Sequence, residues 1–560
     1  MKRTFTILTF INCIFLFSSL IQTAEAQTTF TKRTVASGFN SAWEVVYGPN
    51  DSLWVTENSA YVISRVSVSS GMKTQLINLR ATDASINFTS GSGTQPQGGL
   101  MGLAIHPNLY SPDPAVRAAK PWVYAAYVYN RGSCPGTNTS CIFTTKIVRF
   151  DYIGNTLTNP TTIISSIPGS SDHNSGRLVI SPVIEPGADA DHTQYRLYYT
   201  VGDMGAGQFL NTTRTENAQN VNVMEGKVLR FNTEIDNDGG QDNWVPNDNP
   251  FYSGPSITPQ DYVFSMGHRN AQGLVWGTVS GTNYLYSSEQ MDRTDDEINI
   301  IEAGRNYGWD QVSGYCDGNV DGFKIGQNTS ADEETFCAAT PMHKEPIFTL
   351  FTASAADMPA LMAQSNNSLW PTVACSSIDF YGHNVIPGWP ASLLLTPLKR
   401  NLVYRVKLNA TGDGVVGDTI SYFRNDGNRI RRITVAPDGF RFYIARDAGA
   451  SANGGAIMEY TYTGATLSLG NTTTNPRVVS NLVKIYPNPF TNTLNVQGKK
   501  EMRKPLRAQL YDMTGKLVIE QTSYMNNFSI NVSAIPAGVY AFKLYNTFDV
   551  EMQIEKIIKL

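Results

Sequence analysis

The stretch YRLYYTVGD, residues 195–203, combines aromatic and β-branched residues with a polar end, and the run KVLRFN follows at residues 227–232. Short apolar runs that stop at Gly, Asn or Asp are typical of paired β-strands. Six such pairs of runs occur along the chain, separated by segments rich in Gly, Asn and Asp. The pairs are Leu53–Glu57 with Val62–Val68, Trp122–Tyr129 with Lys146–Tyr152, Tyr195–Gly202 with Lys227–Asn232, Tyr284–Gln290 with Asp296–Ile301, Ser392–Lys399 with Leu402–Leu408, and Arg441–Asp447 with Ala456–Tyr462.

The six pairs predict an all-β fold, a six-bladed β-propeller over residues 27–464. The chain holds 46 Gly and 28 Pro, which favour turns over long helices. A double β-sandwich is the main alternative for this pattern. In a propeller, loops of successive blades meet at one end of the central channel, so residues far apart in sequence can form one site.

The chain has 560 residues, more than one ordinary hydrophobic core accommodates, so two or more folded units are expected. Its formal net charge is -4, which argues against a nucleic-acid partner. Residues 1–26 predict an export signal: Lys2-Arg3 precede an apolar run from Phe5 to Ile21, and Ala24-Glu25-Ala26 provides small residues for cleavage. Every later apolar run is interrupted, so no membrane span is expected after removal of the signal.

Beyond Tyr462 the composition shifts to Thr, Asn, Gly and Ser, which predicts a linker at residues 465–482. Residues 483–560 contain alternating runs such as Leu506–Tyr511 and Val539–Tyr545, with a turn at Pro536-Ala537-Gly538. This pattern predicts a second domain, a small C-terminal β-sandwich.

Five cysteines remain after the predicted signal, and export exposes them to oxidising conditions. Cys134 with Cys141, and Cys316 with Cys337, are spaced to close small loops. Cys375 is then expected to be a buried thiol. None of the spacings is typical of a zinc site.

Three polar segments stand at predicted strand ends: residues 171–177 (SDHNSGR), 202–205 (GDMG) and 267–273 (GHRNAQG). His173 beside a carboxylate is a candidate general base, because the carboxylate fixes the tautomer and stabilises the imidazolium. A plain hydrogen-bonding role on a loop is the alternative for this residue. The third segment places a fixed cation, Arg269, beside an amide.

Charged and aromatic segments add further candidates. Residues 397–400 (PLKR) and 428–432 (NRIRR) suit a polyanionic ligand, because arginine forks bind carboxylates in bidentate pairs. Residues 289–292 (EQMD) and 295–297 (DDE) flank a tight turn and suit calcium. Trp370 offers an aromatic face of the kind on which sugars stack. The respective alternatives are a solvated basic surface, ordinary turn capping and a buried core tryptophan.

In their combination and order, these segments resemble the soluble quinoprotein glucose dehydrogenases and the wider glucose/sorbosone dehydrogenase family. The resemblance covers roughly residues 30–462. The matching stretches are Gln97–Gly102 running into His106-Pro107, Asp172–Leu178, Tyr199–Asp203, Gly226–Arg230, Gly267–Gly273, Ser288–Gln290 with Asp296–Asn299, Asn306–Trp309, Trp370–Thr372, Leu398–Arg400, and the pair Arg429 and Arg431.

The resemblance implies a six-bladed propeller that carries pyrroloquinoline quinone (PQQ) over the channel mouth and oxidises the anomeric hydroxyl of an aldose to the lactone. His173 would take the hydroxyl proton while hydride passes to the quinone, Asp203 would orient His173, and Arg269 would polarise the quinone oxygen. The sugar would be bound by Gln97 and Asp172, with Trp370 beside its ring. The cofactor would be held by Asn270, Thr372, Lys399, Arg429 and Arg431.

Calcium is also implied by the resemblance. The backbone carbonyls of Met291 and Asp292 would bind the catalytic ion, although family enzymes have Gly-Pro at these positions and the shape of the turn differs. A structural calcium loop is matched by Ser313, Tyr315 and Asp317. Asn367 replaces an aromatic residue that flanks the sugar in glucose-oxidising members, so the pocket is more polar and glucose is one candidate among the aldoses.

The C-terminal unit resembles the sorting domain of the type IX secretion system of the Bacteroidetes. This resemblance implies passage across the outer membrane, with the secretion machinery as a partner and a final place outside the cell or on its surface. A carbohydrate-binding sandwich is the alternative. The matching stretches are Ile485–Phe490, Tyr511–Lys516, Pro536–Tyr540 and Lys556–Lys559.

Two other functions compete with the dehydrogenase. A non-catalytic propeller that binds a partner protein would have no reason to keep His173, Arg269, Lys399, Arg429 and Arg431 together. A calcium-dependent hydrolase acting on lactones or phosphoesters would need several side-chain carboxylates and Asn residues around a central metal. The cations of this chain suit an anionic cofactor instead.

Overall fold

A computed structural model describes residues 29–88, 96–132, 143–185, 194–208, 211–236, 244–424, 429–447, 454–464, 483–498, 506–512, 517–523, 525–545 and 551–560. The predicted signal, the predicted linker and the pair Cys134 and Cys141 lie outside these ranges. Strands dominate the described part, which confirms the all-β prediction.

The described residues up to 464 form six antiparallel sheets of four strands each, named here sheets 1 to 6. Sheet 1 contains Ala42–Gly48, Ser52–Glu57, Val62–Ser67 and Lys73–Asn78. Sheet 2 contains Leu100–Ile105, Trp122–Arg131, Phe143–Ile153 and Thr156–Gly169. Sheet 3 contains Leu178–Ile180, Arg196–Val201, Lys227–Asn232 and Val263–Met266.

The remaining three sheets follow in chain order, except for one strand. Sheet 4 contains Gly273–Val279, Thr282–Glu289, Asp296–Ile300 and Phe348–Leu350. Sheet 5 contains Cys375–Tyr381, Ser392–Pro397, Val403–Lys407 and Ile420–Tyr422. Sheet 6 contains Arg429–Val435, Arg441–Asp447, Gly455–Tyr462 and, from the start of the chain, Phe30–Phe39.

The first strands of the six sheets contact one another in a closed cycle, from sheet 1 through sheet 6 and back to sheet 1. The cycle is fastened in sheet 6, where the N-terminal strand Phe30–Phe39 pairs with Gly455–Tyr462. The first and the last strand of this unit therefore pair in one ladder of backbone hydrogen bonds. Each sheet has a neighbouring sheet on both of its faces.

This flanking explains why the strands are apolar on both faces. In sheet 3, Leu197 and Tyr199 pack in a core shared with sheet 2. Tyr198, which lies between them in sequence and points to the opposite face, packs in a core shared with sheet 4. Residues 195–201 therefore lack the alternation of a half-buried strand.

All six predicted pairs of runs are confirmed as antiparallel neighbours, and each pair forms the two central strands of one sheet. The first and last strands of each sheet were missing from the predicted pairs. Several of them are short, such as Leu178–Ile180 and Phe348–Leu350, and so give little pattern in the sequence.

The C-terminal residues form two further antiparallel sheets. One has three strands, Val483–Tyr486, Thr493–Gly498 and Asn527–Asn531, and the other has four, Leu506–Tyr511, Leu517–Ser523, Gly538–Tyr545 and Glu551–Lys559. Side chains from both sheets, among them Leu494, Val496, Leu510 and Phe542, share one hydrophobic core.

Helices are few and short in the described part of the chain. None of them is long and apolar enough to cross a membrane. The α-helices are Leu79–Thr82, Pro114–Ala119, Glu333–Ala339 and Met358–Ala363, the 3-10 helices are Pro107–Tyr110, Pro259–Tyr262 and Asn367–Leu369, and a small ladder joins Lys324–Ile325 to Asn328–Thr329.

Candidate functional site

His173 lies in the loop that leads into the first strand of sheet 3, and Asp203 follows the second strand of that sheet. Both side chains are buried, and His173 Nδ1 lies 2.7 Å from Asp203 Oδ1. Gly202 makes this approach possible, because a Cβ there would lie 1.9 Å from the His173 carbonyl oxygen. Asp203 Oδ2 accepts the indole N–H of Trp309 at 3.0 Å, so the carboxylate is fixed on both of its oxygens.

The side-chain amide of Gln208 joins the histidine to Arg269. Arg269 Nη2 donates to Gln208 Oε1 at 3.0 Å, and a guanidinium only donates, so the oxygen of the amide must face the arginine. The amide nitrogen therefore faces His173 and lies against its ring, 2.7 Å from Nε2 and 3.2 Å from Nδ1. A carboxylate accepts, so His173 donates from Nδ1 to Asp203, which leaves Nε2 as the nitrogen that a general base would use.

Arg269 follows the last strand of sheet 3 and is buried. Its Nη1 donates to the carbonyl oxygens of Gln290 and Met291 at 3.0 and 2.8 Å, and its guanidinium lies 5.2 Å from the centre of the Trp309 ring. The backbone N–H groups of Arg269 and Asn270 both donate to Glu289 Oε1. The acidic residue at the end of a sheet 4 strand therefore holds the loop that carries the cation.

The predicted sugar ligands Gln97 and Asp172 lie beside the histidine. Gln97 Nε2 donates to Asp172 Oδ1 at 2.9 Å, and the same oxygen accepts the backbone N–H of His173 at 3.0 Å. Gln97 Oε1 accepts the backbone N–H of Asn174 at 3.0 Å. The amide of Gln97, from the segment before sheet 2, is thus hydrogen-bonded to the carboxylate and the backbone of the loop that carries His173.

Lys399, Thr372 and Trp370 form a second group. The ammonium of Lys399 contacts Thr372 Oγ1, donates to the carbonyl oxygen of Asn367 at 2.8 Å and lies 5.6 Å from the centre of the Trp370 ring. Burial lowers the pKa of Lys399, and repulsion from Arg269 adds to this shift. Asp292 lies 3.6 Å from Arg269 and 3.8 Å from Arg293, and Arg293 in turn contacts Trp370, so contacts connect the second group to the first. Trp370 is partly buried, and Arg293 lies 4.4 Å from the centre of its ring.

Arg431 and Arg429 form a third group on the first strand of sheet 6. Arg431 is buried over the ring of Trp43 and donates to Gln272 Oε1 at 3.2 Å. Burial and, secondly, repulsion from Arg429 lower the pKa of Arg431 to about 9. Arg429 is 44% exposed and pairs with Asp447.

Asn270 connects the third group to the histidine loop. Its backbone carbonyl accepts the N–H of Gln272 at 3.0 Å, and its Oδ1 accepts the N–H of Ser175 at 3.2 Å. Asn270 Nδ2 donates to Gln290 Oε1 at 3.3 Å. Contacts therefore run without a break from Arg431 through Gln272 and Asn270 to the loop of His173.

The acidic turn between the second and third strands of sheet 4 uses two of its carboxylates to bind backbone N–H groups. Asp296 accepts the backbone N–H groups of Met291, Val373 and Ala374, and burial raises its pKa to about 6. Together with the role of Glu289, this is turn capping, the alternative recognised from the sequence. The Met291 carbonyl oxygen, a predicted calcium ligand, accepts a hydrogen bond from Arg269, and Asp292 Oδ1 lies 3.6 Å from Arg269 Nη2.

Ser313, Tyr315 and Asp317 lie in a loop that packs on three buried carboxylates. Backbone N–H groups and Asn side chains donate to these carboxylates, which are Asp295, Glu297 and Glu333. Burial raises the pKa of each of them, that of Glu333 to about 7. Within the described part of the chain, no hydrogen-bond donor reaches the buried atoms Asp295 Oδ1, Asn299 Oδ1, Ser313 Oγ and Asn319 Oδ1.

The cysteines of the described region behave as predicted. Cys316 and Cys337 form a disulfide, and it closes the segment that carries Asp317 and Glu333. Cys375 is a free, buried thiol whose pKa burial raises well above its usual range. Its burial argues against a catalytic role.

Sequence reasoning assigned no role to Gln208 or Trp309. Gln208 lies four residues beyond Met204, in a loop whose only recognisable sequence feature is the pair of glycines Gly205 and Gly207. Trp309 stands in a stretch that matched the family, but its contact with Asp203 spans 106 residues of sequence. Neither role has a local pattern that would reveal it.

Comparisons with known proteins find relatives of this chain. Residues 39–346 and 351–457 match the glucose/sorbosone dehydrogenase family. Quinoprotein glucose dehydrogenase B of Acinetobacter calcoaceticus is 29% identical over 483 residues, covering 77% of this chain and 91% of that protein. The aldose sugar dehydrogenase of Escherichia coli is 29% identical over 231 residues, covering 41% of this chain and 51% of that protein.

Solved structures share the fold. The PQQ-bound aldose sugar dehydrogenase of Streptomyces coelicolor aligns with a TM-score of 0.50 at 23% identity, over 78% of this chain and 98% of that one. The apo aldose sugar dehydrogenase of Escherichia coli aligns with a TM-score of 0.54 at 21% identity, over 78% and 100% of the two chains. At these identities the likeness establishes the fold alone, a β-propeller.

Residues 484–559 match the secretion system C-terminal sorting domain. This domain directs a protein to the cell surface or beyond the outer membrane, as the sequence predicts. The family match covers most of the chain and includes the loops that carry His173, Asp203 and Arg269. The chain therefore belongs to the glucose/sorbosone dehydrogenase family and carries a C-terminal sorting domain of the type IX secretion system.

Proposed function

We propose that this protein is a secreted PQQ-dependent dehydrogenase that oxidises the anomeric C1 hydroxyl of an aldose to the lactone, with His173 as the general base. The observation that carries the proposal is the series of contacts that joins Asp203, His173, Gln208 and Arg269. It supports an imidazole held by a carboxylate at Nδ1, with a fixed cation one amide away. Removal of a hydroxyl proton needs the first feature, and stabilisation of developing negative charge needs the second.

Each residue then has one task. Asp203 keeps Nδ1 of His173 protonated and stabilises the imidazolium that forms, with Trp309 fixing the carboxylate. Gln97 and Asp172 are placed to bind sugar hydroxyls beside the base, and Trp370 to contact the ring. When bound, PQQ supplies a quinone carbonyl that accepts the hydride from C1, and Arg269 is the cation that we assign to its oxygen.

The residues assigned to the cofactor fit a polyanionic group. Arg431 is buried, and both Arg431 and Lys399 have a lowered pKa because burial disfavours their charged forms. An anionic ligand would offset this cost, since PQQ carries three carboxylates. We assign Lys399, Arg429 and Arg431 to those carboxylates, and Asn270 and Thr372 to hydrogen bonds with the ring system.

Calcium belongs to the proposal at two places. The carbonyl oxygens of Met291 and Asp292 are assigned to a catalytic ion, and this would require Arg269 to release its hydrogen bond to the Met291 oxygen. The loop of Ser313, Tyr315 and Asp317 is assigned to a structural ion. Buried oxygens without donors support a cation there, and one of them belongs to the carboxylate of Asp295, whose pKa is raised.

The architecture in this proposal has six blades, one per sheet, because the six first strands contact in a closed cycle. We assign residues 1–26 to the signal peptide, 27–464 to the propeller, 465–482 to the linker and 483–560 to a C-terminal β-sandwich. The shared core of the two C-terminal sheets supports the last assignment. The sugar, the electron acceptor and the oligomeric state are outside the proposal.

The proposal is tested by mixing apoprotein with PQQ, calcium and a panel of aldoses, and measuring the reduction of an artificial dye. We expect reduction that depends on both PQQ and sugar, with lactone as the product. Protein without PQQ is the control. If no sugar reduces the dye while the same protein opens a lactone, the hydrolase alternative replaces the dehydrogenase. If the protein neither reduces the dye nor opens a lactone, the non-catalytic binding propeller becomes the favoured alternative.

A further inference from the structure

Trp309 presents its indole N–H to two carboxylates. Its Nε1 lies 3.0 Å from Asp203 Oδ2 and 3.3 Å from Glu216 Oε2, and the tryptophan is fully buried. An indole has a single hydrogen to donate, so the two oxygens share it. Asp203 is the residue that holds His173, whereas Glu216 has no part in the site described above. A second carboxylate therefore stands behind the pair of base and orienting acid.

Backbone contacts hold Glu216 in this position. Its Oε1 accepts the N–H of Ala218 at 2.9 Å, and its own N–H donates to Gln327 Oε1 at 2.7 Å. The side chain is partly buried. One carboxylate oxygen is thus bound to the backbone while the other faces the indole, so the negative charge is directed toward Asp203.

The charges around Glu216 influence its ionisation. Burial, repulsion from Asp203 and repulsion from Asp310, in that order, raise the pKa of Glu216 well above its usual range. The ammonium of Lys227 attracts the carboxylate, and burial lowers the pKa of that lysine to about 7. The hydrogen bonds of this ammonium go to backbone carbonyl oxygens, those of Asn217, Ala218 and Glu225.

We propose that Glu216 is a positioning residue, a second carboxylate whose negative charge, held behind Asp203 by Trp309, stabilises the imidazolium that forms when His173 takes the sugar proton. This inference rests on the dehydrogenase function proposed above. Asp203 Oδ1 accepts from His173 Nδ1 at 2.7 Å, and its Oδ2 shares the indole with Glu216. In a buried site with little water, a charge at this remove still acts on the imidazole.

The substitution Glu216→Gln removes the charge and keeps the length and an acceptor oxygen. An imidazolium without this charge is less stable, so His173 stays unprotonated down to a lower pH. We expect the acid limb of kcat/KM to move to lower pH by about one unit, the lower end of the effect of a neighbouring charge. Because a weaker base transfers the proton less readily, kcat at its plateau is expected to fall about threefold.

The substitution Glu216→Asp makes the opposite change, because it keeps the charge and withdraws the oxygen from the indole. We expect its acid limb to stay within about half a unit of that of the parent. A role in hydrogen bonding alone would leave Glu216→Gln normal and damage Glu216→Asp. The other charged groups that face His173 or Glu216 are the same in both variants, namely Asp172, Asp203, Arg214, Lys227, Arg269 and Asp310.

The experiment compares four proteins reconstituted with PQQ and calcium: the parent, Glu216→Gln, Glu216→Asp and the control Glu302→Gln. The control removes a carboxylate from an exposed ion pair with Arg305. Dye reduction measured across the pH range gives kcat and kcat/KM, and thermal unfolding verifies that each variant folds. An acid limb at the same pH in the parent and in Glu216→Gln, in a parent that does oxidise sugar, overturns the inference.

A second readout does not depend on activity. Nitrogen NMR of apoprotein labelled at histidine follows the protonation of His173 as the pH changes, and His173→Ala assigns its signal. We expect the midpoint of this titration to be lower by about one pH unit in Glu216→Gln and close to that of the parent in Glu216→Asp. Equal midpoints in the parent and Glu216→Gln would contradict the role of Glu216. The expected midpoints without any dye reduction would support that role and contradict the proposed function.

Discussion

His173 is held between two partners of different kinds, and this determines what it can do. Asp203 accepts from Nδ1, while the amide of Gln208 lies against the ring, 2.7 Å from Nε2 and 3.2 Å from Nδ1. A histidine on an exposed loop would exchange both positions with water and favour neither tautomer. Burial of both His173 and Asp203 makes the arrangement durable, since neither group has solvent as a competitor.

Replacing the base is the sharpest test at this scale. We expect His173→Ala to lower kcat by a factor of about 100 to 10,000, the usual contribution of a general base. His383→Ala is the matched control, because His383 packs against Tyr381 outside the site. The measurement is dye reduction by PQQ-loaded protein. A rate for His173→Ala equal to that of the parent would remove the base assignment.

At the scale of single elements, His106 illustrates a histidine with a structural role. It precedes the 3-10 helix Pro107–Tyr110, and its Nδ1 accepts the N–H of Asn108 at 3.2 Å. Its ring packs edge-on against Trp122 and Tyr195. Burial, with smaller repulsion from positively charged neighbours, lowers its pKa to about 3. The same residue type thus caps a turn in one loop and faces the site in another.

This lowered pKa predicts a dependence of stability on pH. The unfolded chain protonates His106 near pH 6.5 and the folded chain near pH 3, so acid favours unfolding. The stabilisation is complete above pH 6.5 and is lost as the pH falls, by about 1.4 kcal/mol for each pH unit. We expect Tm to fall less between pH 7 and pH 4 in His106→Gln than in the parent. If scanning calorimetry gives the same change of Tm with pH in both proteins, His106 does not have this effect on stability.

The loop of Ser313, Tyr315 and Asp317 allows a prediction about metal removal. If a calcium ion neutralises Asp295, Glu297 and Glu333, a chelator should lower Tm and added calcium should restore it. The stabilisation should be about 3 kcal/mol when calcium is present at about 100 times its Kd. Glu333→Gln is expected to weaken the response, whereas Glu302→Gln, on an exposed ion pair with Arg305, leaves it intact. A Tm that does not respond to calcium or chelator would exclude the structural ion.

At the scale of the whole molecule, the six sheets close into a cycle of neighbours. Each sheet shares a separate hydrophobic core with each of its two neighbours, such as Trp54 with Val123 between sheets 1 and 2. Because the N-terminal strand completes sheet 6, the first and last parts of this unit must both be present before the cycle closes. The C-terminal sheets have a core of their own.

Because the two units have separate hydrophobic cores, we expect each of them to stay folded when the chain between them is cut. Limited proteolysis of the intact protein should cut within residues 465–482 and release two resistant fragments. We expect the larger fragment to retain dye reduction with PQQ, because the candidate site residues all lie before residue 464. Mass spectrometry locates the cut, and the uncut protein is the control. If the protease cuts within residues 29–464 before it cuts within residues 465–482, the domain assignment is wrong.

The sequence by itself determined the six central hairpins, the Cys316–Cys337 disulfide and the sorting domain. Strand pairs are encoded by short apolar runs and by turn residues, and family motifs are contiguous, so both can be found without coordinates. Only the tertiary structure decided how the loops use their side chains. Glu289 caps backbone groups, and Gln208 bridges His173 to Arg269. These contacts depend on distances between sheets, which no local pattern of residues specifies.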